Sequence, residues 1–203
     1  MVECGNASRK LIVFLHGFGF DGSENPLFKD AMVKRFPEWD YISFDAPFPS
    51  GRDRGGYAWF DITKGDRRFV LDDGKLDQSI VFLQEGIHAE LEKRELSWKD
   101  LILVGRSQGA FLSILLASMS AVPCYAVVCT GSLFIPCDQF KLNSTPPIFW
   151  FEMEDEKLPQ EKTEGYKYLI SQGCDVTYAI GKNSDHDFIS PETTDDIIKA
   201  LEG

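Results

Sequence analysis

Short apolar runs alternate along this chain with stretches whose apolar residues recur at helical spacing. The apolar runs predict buried strands over residues 11–15, 41–44, 100–104, 126–129, 148–151 and 175–179. The periodic stretches predict helices over residues 23–36, 76–96, 108–119, 165–171 and 191–201, with Ser23 as a candidate N-cap. This alternation indicates an α/β fold: a single domain over residues 1–203, with a mostly parallel central sheet and helices on both faces.

One long segment interrupts the alternation. Residues 45–75 are rich in glycine, proline and arginine, and a stretch of this length in a compact domain is usually a binding loop or a lid. Its arginines, Arg52, Arg54, Arg67 and Arg68, either guide an anionic substrate or lie in a solvated loop. Ligands on parallel sheets bind beyond the carboxyl ends of the strands, so we expect the chemically important residues just after strands.

A serine follows one of these strands in a recognisable pattern. Gly105-Arg106-Ser107-Gln108-Gly109 joins a predicted strand to a predicted helix. In this position G-x-S-x-G is typical of a nucleophile elbow, a tight turn that holds the serine in a strained conformation and needs small neighbours. The pattern predicts that Ser107 is a nucleophile. The alternative is a serine that only caps the helix.

A serine hydroxyl becomes a good nucleophile only when a base removes its proton. The chain offers three histidines as bases. His88 lies at a polar position of a predicted helix, and His16 ends the first strand, where a structural or loop role is expected. His186 lies in a polar loop between the last strand and the last helix. We therefore predict that His186 is the general base.

The base in turn needs a carboxylate that fixes its tautomer, and in this type of fold the acid precedes the histidine in the chain. The strand predicted over residues 148–151 continues into an acidic loop. We predict that Asp155 is the acid, with Glu152 and Glu154 as competitors. Asp138, which follows an earlier strand, is a more distant candidate.

Two backbone N–H groups should form an oxyanion hole for the tetrahedral intermediate. One is expected from Gln108, the residue after the nucleophile, and the other from the glycine-rich loop after the first strand. Within that loop, His16-Gly17-Phe18-Gly19, we predict the Phe18 amide. A phosphate-binding loop is disfavoured because the G-x-G-x-x-G pattern and the P-loop lysine are missing.

The charge, the cysteine content and the apolar runs of the chain disfavour several classes of function. The net charge of −11 disfavours binding to nucleic acid or to anionic membranes. The five cysteines are odd in number and form no C-x-x-C pair, so neither a disulfide framework nor a zinc site is indicated. No signal peptide is visible, and no apolar run approaches the roughly 20 residues of a membrane span. We expect a cytoplasmic protein without an integral membrane segment.

Several motifs resemble one known family. In chain order they are residues 15–19, the Ala46-Pro47-Phe48-Pro49 stretch that leads to Trp59-Phe60-Asp61, the serine motif, the turn at residues 155–159 and the final histidine segment. Together they resemble the phospholipase/carboxylesterase family of small α/β-hydrolases, which contains acyl-protein thioesterases and bacterial esterases.

The resemblance implies an α/β-hydrolase fold without a cap domain, no cofactor, and an ester or thioester substrate, either a small molecule or an acylated partner. The resemblance supports Asp155 as the triad acid and Phe18 as an oxyanion-hole residue. It also implies that Trp59 and Phe60 shape the substrate groove, unless they are simply core residues. A homodimer is compatible with the family. The chain departs from the family at Arg106, where an apolar or aromatic residue is usual. A buried arginine there needs a carboxylate partner or a route to solvent.

The sequence thus predicts a carboxylic ester hydrolase with a Ser107–His186–Asp155 triad and an acyl-enzyme intermediate, as in carboxylesterases, acyl thioesterases and lysophospholipases. The alternative is a fold relative that has lost catalysis and binds a partner. The intact set of serine, acid, histidine and loop glycines disfavours that alternative.

Overall fold

The structure, a computed structural model, describes residues 9–51, 55–64, 69–71, 73–132, 140–153, 160–185 and 187–203. The strands are β1 (Leu11–Leu15), β2 (Asp40–Phe44), β3 (Phe48–Pro49), β4 (Tyr57–Ala58), β5 (Ile62–Lys64), β6 (Phe69–Leu71), β7 (Leu101–Arg106), β8 (Ala126–Thr130), β9 (Ile148–Met153) and β10 (Val176–Gly181). The helices are α1 (Pro26–Arg35), α2 (Asp73–Lys93), α3 (Gln108–Met119), α4 (Gln160–Ser171) and α5 (Pro191–Glu202), with a short 3-10 helix at Trp98–Asp100.

The central sheet confirms the predicted parallel arrangement. Its six strands lie in the order β10-β9-β8-β7-β1-β2, and each neighbouring pair is parallel. From β1 the chain moves outward to β2, and it later returns to the other side of β1 to add β7, β8, β9 and β10 in turn. The strand order therefore reverses between β1 and β7, where an open α/β sheet forms its ligand crevice.

Helices cover both faces of the sheet, as predicted. Successive residues of a strand point to opposite faces. Leu11, Val13 and Leu15 of β1 accordingly pack with α2, α3 and α4, whereas Ile12 and Phe14 pack with α1 and α5. None of the helices in the described part of the chain is both long enough and apolar enough to cross a bilayer.

Two local predictions differ from the structure. Helix α1 begins at Pro26 rather than near Ser23, because proline favours the first turn and Asn25 before it takes a left-handed φ of 55°. Ser23 instead donates its hydroxyl to Asp21. The described part of residues 45–75, a segment predicted as a loop, contains two small antiparallel sheets, β3 with β4 and β5 with β6.

Candidate active site

The loops after β1 and β7 meet at the carboxyl edge of the sheet. The register pairs Leu15 with Gly105, so both strands end side by side at the point where the strand order reverses. Ser107 follows β7 directly, and its N–H donates to the Thr130 carbonyl of β8 at 3.0 Å. The serine thus lies where a ligand crevice is expected.

The backbone at Ser107 has the strained geometry of a nucleophile elbow. Its φ is 52° and its ψ is −114°, and its side chain makes no capping hydrogen bond to α3. A Cβ atom on Gly105 would lie 2.3 Å from the Gly109 carbonyl oxygen, and one on Gly109 would lie 2.0 Å from the Leu15 carbonyl oxygen. Both glycines are therefore required by backbone packing. The capping-serine alternative has no support in this geometry.

The loop after β1, residues 17–20, is fixed to β4 directly after Phe18. The Gly19 N–H donates to the Tyr57 carbonyl of β4 at 2.8 Å, and the Tyr57 N–H donates back to the Phe20 carbonyl at 2.8 Å. These paired bonds hold the loop in place like a short strand. We call residues 17–20 the oxyanion loop, after the role predicted for Phe18.

His16 has a structural position at the start of this loop. It is fully buried; its Nδ1 lies 2.8 Å from the Gly17 carbonyl oxygen, and its Nε2 lies 3.0 Å from the Ala46 nitrogen. Because the Ala46 N–H needs an acceptor, Nε2 carries no proton and Nδ1 is the donor. Burial lowers the pKa of His16, which favours this neutral form. His16 therefore has a structural role at the start of this loop.

The Gln108 side chain ties the nucleophile elbow to the segment after β4. Its Nε2 donates to the Phe60 carbonyl at 2.7 Å, and its Oε1 accepts from the Trp59 N–H at 3.2 Å. The Trp59 indole N–H donates to the His16 carbonyl at 2.9 Å, and the Ser79 hydroxyl donates to the Trp59 carbonyl at 2.5 Å. Sequence reasoning identified only the backbone of Gln108 and missed this role of its side chain.

Both aromatic residues predicted to shape a substrate groove are buried here. The side chains of Trp59 and Phe60 are 0% and 1% exposed and belong to the hydrophobic core. Phe60 packs on Phe111 of α3, with ring centroids 5.4 Å apart. The structure thus gives these residues contacts to the elbow and its helix, and direct contact with substrate stays a prediction.

Arg106 has the carboxylate partner that its buried position requires. Its side chain forms an ion pair with Glu24, and both side chains are 2% exposed. Burial raises the pKa of Glu24, and the adjacent Arg106 cation opposes that rise. Asp187 lies 3.4 Å from the guanidinium on another side. The only sequence signal for Glu24 and Asp187 was Arg106 itself, an arginine at the end of an apolar strand.

A hydroxyl network anchors the loop that carries the predicted base. Ser190, the N-cap of α5, accepts from the Thr193 N–H at 3.0 Å and donates to the Lys182 carbonyl at 2.5 Å. The Ser184 hydroxyl donates to the Thr193 oxygen at 2.7 Å and accepts from the Ser190 N–H at 2.9 Å. These bonds hold Lys182, Ser184 and Ser190 against the start of α5. We call the segment over residues 182–190 the histidine loop, after the base predicted in it.

The other two residues predicted for the triad, Asp155 and His186, lie outside the described residues, as do Glu154 and Asp138. The strands that precede them, β9 and β10, end at the same edge of the sheet as β7. Of the competing acids, Glu152 is described: it is buried at the end of β9, and its Oε2 lies 3.3 Å from the Trp150 indole nitrogen.

Known proteins resemble this chain over nearly its whole length. A profile of the family described as Phospholipase/Carboxylesterase matches residues 1–201. Among solved structures, esterase PE8 is 23% identical with a TM-score of 0.82, covering 95% of this chain and 91% of that chain. SOBER1 of Arabidopsis thaliana is 18% identical with a TM-score of 0.80, covering 96% and 98%. The Bacillus cereus carboxylesterase is 14% identical with a TM-score of 0.75, covering 96% and 88%. At these identities the structural likeness establishes the fold.

The strained backbone at Ser107 predicts an unusual order of stability. Ser107→Gly should be more stable than Ser107→Ala by about 1 kcal/mol, because only glycine takes a positive φ without steric strain. Urea unfolding of both variants measures this difference. The same pair at Ser113, in the middle of α3, serves as the control, where alanine should be the more stable by about 1 kcal/mol. A more stable alanine variant at both positions would contradict the strained elbow.

Proposed function

Since the chain belongs to the phospholipase/carboxylesterase family of α/β-hydrolases, we propose that it is a serine hydrolase of carboxylic esters or thioesters. The observation that carries the proposal is Ser107, held in a strained turn at the start of α3 and next to the oxyanion loop. A hydroxyl at a helix N-terminus lies where the helix dipole stabilises negative charge.

The proposed reaction proceeds through an acyl-enzyme. His186 removes the Ser107 proton as Ser107 Oγ attacks the acyl carbonyl carbon, and Asp155 holds the imidazole in the correct tautomer. The tetrahedral intermediate collapses when its bond to the leaving oxygen or sulfur breaks, and His186 protonates the departing alcohol or thiol. Water then attacks the acyl-enzyme by the same route, which releases the acid and restores Ser107.

The backbone amides of Phe18 and Gln108 stabilise the oxyanion in this proposal. Gln108 is the first residue of α3, where N–H groups have no partner within the helix. The Gly17 bond to Glu24 and the Gly19 and Phe20 bonds to Tyr57 fix the oxyanion loop before substrate arrives. Preorganised donors of this kind typically contribute about a hundred- to a thousand-fold in rate each. Trp59 and Phe60 support the site from the core, since Gln108 binds the backbone of both.

The nature of the substrate beyond this chemistry stays a prediction. Arg52, Arg54, Arg67 and Arg68, the residues considered for guiding an anionic substrate, lie outside the described residues. The net charge of −11 disfavours nucleic acid as a partner. A cytoplasmic location and a homodimer likewise stay predictions.

Ester hydrolysis is the direct test of the proposed activity. We expect wild type to hydrolyse nitrophenyl esters in a series of increasing acyl length, and the preferred length measures the acyl pocket. Ser107→Ala should lose this turnover, because loss of a catalytic serine typically lowers kcat about a millionfold. Ser118→Ala, which removes a buried hydroxyl from the far end of the same helix, is the matched control and should keep wild-type kcat. Equal turnover by wild type and Ser107→Ala would refute the proposed site.

A second set of variants identifies the acid of the triad. Asp155→Asn should lower kcat about ten-thousandfold, because the amide favours the wrong histidine tautomer. Glu152→Gln keeps the shape of a buried side chain at the end of β9 and should have a much smaller effect. Steady-state kinetics on the best ester from the series compares the two. The reverse order of effects would transfer the role from Asp155 to Glu152.

A further inference from the structure

One buried guanidinium touches three segments of the candidate site. Arg106 ends β7 next to Ser107, pairs with Glu24 beyond the oxyanion loop and reaches Asp187 of the histidine loop. Its guanidinium carbon lies 4.5 Å from the centre of the Phe20 ring. These segments are far apart in the chain, and the arginine is a point where all of them meet.

The oxyanion loop rests directly on this arginine. A Cβ atom on Gly17 would lie 2.7 Å from an Arg106 nitrogen, so the loop packs on the guanidinium at the closest distance that glycine allows. Glu24 uses one carboxylate oxygen for Arg106 and the other for the Gly17 N–H, at 2.9 Å. The Phe20 ring also lies against the guanidinium. The oxyanion loop therefore contacts Arg106 at its first residue, Gly17, and at its last, Phe20.

The histidine loop is attached through Asp187, the residue directly after His186. The Asp187 carboxylate lies 3.4 Å from an Arg106 nitrogen and is 57% exposed. Its backbone N–H donates to the Asp185 side chain at 2.8 Å, and Asp185 and Phe188 exchange backbone hydrogen bonds at 3.2 and 3.3 Å. These bonds hold the Asp187 carboxylate beside the Arg106 guanidinium.

Stability alone does not account for this cluster. Removal of charges from water is costly, and replacement of a buried ion pair by apolar side chains of similar size is often neutral or stabilising. An apolar residue at position 106 would fill the space, but it would not connect the carboxylates of two separate loops. The cluster gives geometric control of those loops, and catalysis is sensitive to such control, since a 1 Å misplacement can lower a rate about a hundredfold.

We propose that Arg106, together with Glu24 and Asp187, forms a positioning cluster that sets the oxyanion loop and the histidine loop relative to Ser107. The proposal rests on the serine hydrolase function proposed above. None of the three side chains is assigned a step in the reaction. They act through the Phe18 amide and through His186.

A double-mutant cycle on kcat tests the cluster. Asp187→Asn removes the charge of the half-exposed carboxylate in the cluster and leaves no unpaired buried charge. The matched control is Asp195→Asn, which changes an exposed carboxylate on α5. The buried pair is replaced jointly by Arg106→Met with Glu24→Gln, since the glutamine amide oxygen can still accept from the Gly17 N–H. Urea unfolding of each variant separates effects on catalysis from effects on folding.

We expect Asp187→Asn to lower kcat about threefold to tenfold with KM and the unfolding midpoint unchanged, and Asp195→Asn to match wild type. In the Arg106→Met/Glu24→Gln background, Asp187→Asn should have no further effect on kcat, because its partner is already gone. A role in folding alone would change the midpoint and leave kcat per folded enzyme intact.

Unchanged kcat in Asp187→Asn, or the same loss in both backgrounds, would overturn the positioning cluster while leaving the hydrolase proposal in place. If the paired replacement does not fold, Arg106→Gln with Glu24→Gln in its place removes the same two charges with polar side chains and allows the same comparison. Folded wild type that hydrolyses no ester of the series would overturn both proposals.

Discussion

The contact between the first turn of α3 and the end of β1 is the constraint on which the candidate site depends. Two backbones approach so closely there that no side chain fits at Gly109, where a Cβ would lie 2.0 Å from the Leu15 carbonyl oxygen. The same packing excludes a side chain at Gly105 and leaves Ser107 with a positive φ. Because of this contact, the serine, the helix N-terminus and the oxyanion loop lie together. Hydrophobic packing of the sheet and its helices maintains the strain.

Around this contact several buried polar groups are paired with one another. His16, Gln108 and Trp59 exchange hydrogen bonds with backbone groups of neighbouring segments, and Arg106 neutralises Glu24. In a low-dielectric interior such bonds are strong. Loss of one partner leaves a buried polar group without a hydrogen bond, which destabilises the fold. The site therefore tolerates little rearrangement, which is what preorganised stabilisation of a transition state requires.

Local features of the sequence predicted much of this arrangement. The strands followed from short apolar runs, and the elbow followed from glycine spacing between a strand and a helix; β1 and α3 match their predicted bounds. The start of α1 was wrong because Asn25 adopts a left-handed conformation that no periodicity encodes. Strands β3 and β4 escaped prediction because each has only two residues, and they form through pairing with each other.

The sequence pattern did not predict the contacts between residues far apart in the chain. Arg106 signalled the need for a carboxylate, but many acidic residues in the chain could have served, and only the fold places Glu24 beside it. The Gln108 side chain gave no signal, since an amide one residue after a candidate nucleophile is equally compatible with solvent. The burial of Trp59 and Phe60 likewise depends on how the segment after β4 packs on α3.

The central claim is that Ser107 is an activated nucleophile. A fluorophosphonate probe reacts covalently with such a serine, and peptide mass spectrometry locates the adduct. Our account predicts a single adduct on Ser107 of the folded protein and its loss in His186→Ala, which lacks the proposed base. A folded wild-type protein without an adduct, or with the adduct on another serine, would contradict it.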